Sequence, residues 1–139
     1  PGNLFFEHDA IGKLRLTGLI DWDASSSDAL AAVDACHLAL TFRMVRRGEE
    51  IGQVVRVLLR DGSWTEQEQT LFRSAGFETE FGSGGDLAFG RAVLLLTWLH
   101  HIAAGIVKSE RVPQNKYWML MNVDRVLALA TGRSARMHR

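Results

Sequence analysis

From Asp28 to Gly132 apolar residues recur at intervals of three and four, the spacing that aligns side chains on one face of an α-helix. No strand-like runs alternate with these stretches in the way a parallel sheet requires. The chain has two prolines; Pro1 precedes the pattern and Pro113 falls in a break between two of its runs. Leu30, Val33, Cys36, Leu40 and Met44 predict a first helix from about Asp28 to Arg47, with Ser25, Ser26, Ser27 and Asp28 able to cap its free amides and Gly48 to stop it. Ile51, Val54, Val55, Leu58 and Leu59 predict a second, ended by Asp61-Gly62. Thr65 and Glu68 have the spacing of a capping box and open a third helix that runs to Gly76. A long helix from Asp86 or Leu87 through Val107 is apolar almost all round and is expected at the centre of the core. Tyr117, Trp118, Leu120, Met121, Val123, Val126, Leu127 and Leu129 predict a last helix ending near Gly132.

Ahead of the helices, Leu4-Phe5-Phe6 and Lys13-Leu14-Arg15-Leu16-Thr17 read as two short strands joined by the turn-forming His8-Asp9-Ala10-Ile11-Gly12. The second run alternates polar and apolar, then continues past Gly18 into Leu19-Ile20, as a strand does on passing from a wet edge into a core. The expected fold is therefore mainly α (α+β), a short amino-terminal β-hairpin followed by about five helices. Gly82-Ser83-Gly84-Gly85 reads as a flexible connection, and Arg133 to Arg139 as a basic, frayed tail.

Charge and cysteine content narrow the function classes. Across 139 residues, 16 Lys plus Arg balance 16 Asp plus Glu, so no excess positive charge marks the chain for nucleic acid or an anionic membrane. Apolar residues at 47% and charged residues at 23% suit one ordered core. Cys36, the single cysteine, can form no internal disulfide and supplies no thiol set for zinc, which makes a reducing cytoplasm the expected compartment. No charged segment followed by an apolar one precedes the first strand. The most apolar stretch, Ala92 to Val107, is 16 residues long and carries His100 and His101. A bilayer span needs about 20, so this stretch is expected to be a buried helix.

Residues able to carry chemistry gather at the hairpin. Asn3 and Asp21 flank it, so the strand ends that bear them are expected side by side although 18 positions separate them. Phosphoryl transfer on kinase-like scaffolds uses such an Asn and Asp to hold magnesium, because the hard cation takes oxygen ligands. An Asn and an Asp at the ends of a hairpin serve ordinary turns equally well, so spacing alone leaves both readings open. Elsewhere the residues suit packing. His100 and His101 are neighbours on a helix, pointing about 100° apart, and cannot chelate one metal from one face. His37 is expected as a core histidine and Cys36 as a small apolar core residue. Trp64, Trp98 and Trp118 read as packing, and Glu78, Glu80 and Asp86 as a solvated loop that could draw a cation.

The order Pro1-Gly2-Asn3-Leu4-Phe5-Phe6, a hairpin, then Leu19-Ile20-Asp21-Trp22-Asp23 resembles the aminoglycoside phosphotransferase family, also called choline-kinase-like. Its members carry a catalytic loop His-Gly-Asp-x-x-x-x-Asn, commonly with Pro-Gly before the Asn, then a hairpin and an Ile-Asp-Trp or Ile-Asp-Phe segment. The resemblance spans about Pro1 to Leu38, roughly a quarter of the chain. It implies that residues 1–139 are the carboxy-terminal lobe of a kinase-like fold, with Asn3 and Asp21 as ligands to Mg2+ and ATP or GTP as phosphoryl donor. The acceptor would be a hydroxyl of a small molecule. It also implies that Asp34 is a buried brace accepting hydrogen bonds from the catalytic loop near Asn3. The family's catalytic Asp lies five positions before the Asn, which here precedes Pro1, and its nucleotide-clamping lobe lies further upstream. The chain alone is therefore expected to bind ATP weakly and to be inactive, with apolar Leu4, Phe5, Leu14 and Leu16 left uncovered. The alternative is a non-catalytic helical binding module or pseudokinase.

Overall fold

One carboxylate closes the amino-terminal hairpin. Asp9 Oδ1 accepts hydrogen bonds from the backbone of Ile11 (3.0 Å) and Lys13 (2.8 Å), a local alternative to sheet pairing that holds the chain in a turn. Gly12 completes it at a φ of 78°, a conformation that costs a residue with a Cβ but not glycine. The strands β1 (Leu4–His8) and β2 (Leu14–Leu19) pair antiparallel, with Leu4 opposite Leu19 and His8 opposite Leu14. The register slips between Phe5 and Phe6, a bulge that admits one extra residue on β2. The computed structural model describes residues 4–19, 30–77, 87–108 and 114–132.

Five helical stretches follow, as the periodicity predicts. The first is α1 (Ala31–Arg47), with Leu30 at its N-cap making no side-chain bond; the expected capping residues Ser25 to Asp28 lie outside the described residues. Gly48 ends α1 and Gly62 ends α2 (Ile51–Asp61), both at a φ of 63°. Thr65 and Glu68 form the expected capping box of α3 (Glu66–Ser74): the Glu68 amide donates to Thr65 Oγ1 at 3.3 Å, and the Thr65 amide to Glu68 Oε2 at 2.7 Å. The long helix is α4 (Leu87–Lys108).

The core lies where α1, α2, α3 and α4 converge. Ala32, Ala35, Cys36 and Ala39 give α1 a face of short side chains, which lets α4 pack close against it with Val93, Leu94, Trp98 and Ile102. Val54, Val55 and Leu58 of α2 and Phe72 of α3 close the remaining sides.

Two expectations change here. First, α4 is not buried all round: Leu96, Leu99, Ile106 and Val107 are exposed, Val107 to 86%. Ala88–Lys108 is long and apolar enough to cross a membrane by length and composition. Second, the last helix is interrupted. It runs as α5 (Lys116–Met119), a π-helical turn Leu120–Asp124, and α6 (Arg125–Ala130). Within the wider turn Asn122 is fully buried and joins three elements. Its Oδ1 accepts from the Gly52 amide at the start of α2 (2.9 Å), its carbonyl from Trp98 Nε1 (2.8 Å), and its Nδ2 donates to the Trp118 carbonyl (3.2 Å). A Cβ on residue 52 would stand 2.2 Å from the Met121 carbonyl oxygen, so only glycine permits this approach.

Candidate functional site

Asn3 and Asp21 lie outside the described residues, as do Glu78, Glu80 and Asp86. The hairpin that flanks the first two is present, and its ladder closes on the Leu4–Leu19 pair. Asp34, in the first turn of α1, is exposed. Its expected burial is therefore not found, and no hydrogen bond to its carboxylate occurs among the described residues. The residues around Asn3 that it was to brace lie outside the described set.

Asp34 lines a cavity of about 470 Å3 between α1 and α4, with His37 on its own helix and Thr97, His100, His101 and Lys108 across the seam. Helical geometry puts Asp34 and His37 together, since residues three apart share a face, and His101, Ala104 and Lys108 line up on α4 for the same reason. The His37 and His101 rings face each other with centroids 5.8 Å apart and planes at 46°. Burial lowers the His101 pKa from its ordinary value, the neighbouring His37 lowers it further, and the Glu50 carboxylate works the other way.

His37 is exposed and not the core histidine expected, because position 37 falls on the α1 flank beside the buried Cys36. The pairing with His101 escaped the sequence because nothing local links residues 64 positions apart. Among the described residues no group of three or more His, Cys, Asp or Glu could hold a metal ion. Cys36 is fully buried, as expected of an apolar core residue. Burial pushes its thiol up to about 11 against a hydrogen bond with Thr97, with the Glu68 charge adding to the rise, so it is a poor nucleophile at neutral pH.

The opposite half of α1 carries a closed polar network. Arg43 is buried; its Nε and Nη2 grip the two carboxylate oxygens of Glu68 at 2.5 and 2.6 Å, and Nη2 also reaches the Ser63 carbonyl at 3.0 Å. Its guanidinium lies 5.4 Å over the Trp64 ring, which in turn meets Phe72 edge-on at 4.9 Å. Burial alone would raise the Glu68 pKa; bonds from Arg43 and Thr65 outweigh it and hold the carboxylate below its ordinary range. Trp64, Trp98 and Trp118 all pack in or against the core, as their positions suggested. No known protein family, curated protein or solved structure matches the chain.

Proposed function

We propose that the chain is the carboxy-terminal lobe of an ATP- or GTP-dependent phosphotransferase that delivers a phosphoryl group to a hydroxyl of a small molecule, of the aminoglycoside phosphotransferase or choline-kinase-like kind. The observation that carries this reading is the hairpin register. Leu4 pairs with Leu19, and the residues next in sequence to that pair are Asn3 before Leu4 and Ile20-Asp21 after Leu19. An amide oxygen and a carboxylate are hard donors of the kind Mg2+ selects. The ion supplies neutralisation of the nucleotide phosphates during transfer. Asp34, on the next helix, is exposed and adds no support to this reading. On this reading the Asp that orients the acceptor hydroxyl, and the lobe that clamps the nucleotide, precede Pro1. Positioning supplies most of the catalysis in this chemistry, so the 139 residues alone are expected to be inactive.

The test is phosphoryl transfer by the protein carrying its own residues upstream of Pro1. Asp21→Ala should abolish turnover and Asn3→Ala should reduce it severely, with circular dichroism unchanged. Turnover at the wild-type level in Asp21→Ala would remove the assignment. A second reading, a helical interaction module or pseudokinase, draws on the exposed Leu96, Leu99, Ile106 and Val107 of α4. An upstream sequence without an Asp five positions before Asn3 would favour it.

A further inference from the structure

A second cavity, of about 750 Å3, lies between the carboxy-terminal half of α1 and α3. One wall is apolar: Ala39, Phe42 and Val45 of α1 with Leu71 of α3. Phe42 is 60% exposed and Val45 78% exposed, a pair left in water one turn apart on the same helix. Arg46 and Arg47 stand at the same cavity. Arg43 and Glu68 neutralise each other there, so the lining keeps an excess of two positive charges. The only described ion pair made by that excess is from Arg47 to Glu49, at a loose 3.9 Å.

Basic residues in a last helical turn have an ordinary explanation, since they face the negative end of the helix dipole. That explanation accounts for Arg46 and Arg47 but not for an exposed aromatic and a β-branched residue beside them. Apolar walls with a few convergent charges, in a volume of roughly 300–1,000 Å3, describe a ligand site. The buried Arg43–Glu68–Trp64 network fixes α1 against α3 and so holds the cavity open in one shape.

We infer that this cavity binds a small organic anion with a flat apolar body, its ring against Phe42 and Val45 and its acid group paired with Arg46 and Arg47. Arg43 does not join them, because Nε and Nη2 are committed to Glu68 and Ser63. Guanidinium suits the task because its planar fork matches a carboxylate at two points and remains charged across the physiological range. The site shares no lining residue with the cavity that holds Asp34, and the inference is independent of the phosphotransferase reading.

The experiment uses the 139-residue chain and two isosteric probes, 2-naphthoate and the neutral 2-naphthamide, followed through backbone amide shifts. The expected result is saturable binding of 2-naphthoate with the largest shifts at Phe42, Val45, Arg46 and Leu71, and binding of the amide weaker by about tenfold or more. Arg46→Gln with Arg47→Gln should cost 2-naphthoate a similar factor, while Arg46→Lys with Arg47→Lys keeps part of the affinity. All of these positions except Leu71 are on the exposed side of α1, and the helical circular dichroism should not change. Equal binding of the two probes, unchanged affinity in the Gln variant, shifts centred elsewhere, or no saturable binding would each overturn the inference.

Discussion

α1 has a cavity at each half, and the two differ in what holds their charges. At the carboxy-terminal half the buried Arg43 is answered inside the protein: it meets Glu68 at two points, a backbone carbonyl and an aromatic face. At the amino-terminal half Asp34 and His37 are exposed, and the His37 ring meets that of His101, whose protonated form the neighbouring His37 disfavours. A closed network of the first kind fixes the relative position of helices. An open set of polar groups around a concavity is what a ligand or another segment completes, and the exposed Arg46 and Arg47 beside the closed network are such a set as well. The same helix thus anchors α3 through a closed network at one half and leaves Asp34 and His37 exposed at the cavity of the other.

The largest effect expected from this difference is at the closed half. Arg43→Ala leaves Glu68 partly buried without its partner and strips the face of Trp64, so urea unfolding should show a loss of about 3 kcal/mol. A loss under about 1 kcal/mol would mean that the network does not hold α3 to α1.

A smaller effect is expected from pH at the open half. The folded state disfavours protonated His101, whereas the unfolded chain takes up that proton near the ordinary histidine value of about 6.5. The unfolded state therefore binds more protons in that window, and stability should fall as pH drops from 7.5 to 5.5. His101→Gln should flatten this slope. Glu68 behaves in the opposite sense to a raised carboxylate: its pKa is lowered by its bonds to Arg43 and Thr65, so its contribution is present above about pH 4.3 and is lost only below it. A pH slope that persists in His101→Gln would assign it to another group.

The smallest effect is expected from the exposed pair. Asp34→Asn and His37→Gln should each change the stability of this chain by no more than about 0.5 kcal/mol, as exposed side chains away from buried networks do. A loss of about 2 kcal/mol from either would erase the contrast between the two halves.

Local features were legible in the sequence because their causes are local. Thr65 and Glu68 announced the start of α3, Gly48 and Gly62 the ends of α1 and α2, and Asp9 to Gly12 the hairpin turn. What needed the third dimension stayed hidden. Asn122 reaches Gly52 across 70 positions, and nothing near residue 122 foretold the π-helical turn that carries it. α4 is apolar on most sides, so periodicity could not say which face would be buried; the short side chains of α1 chose the face holding Trp98. The expected burial of Asp34 came from a family resemblance, and in this chain the side chain is exposed. Asn3 and Asp21, on which the functional reading turns, lie outside the described residues.

That reading is tested most directly by calorimetric titration of ATP with magnesium into two proteins, the 139 residues alone and the same chain carrying its own upstream residues. A phosphotransferase lobe without its nucleotide clamp should bind weakly or not at all, and the longer protein should bind tightly and only with magnesium. Tight magnesium-dependent binding by the 139 residues alone would show that the nucleotide site is elsewhere, and would contradict the roles given to Asn3 and Asp21.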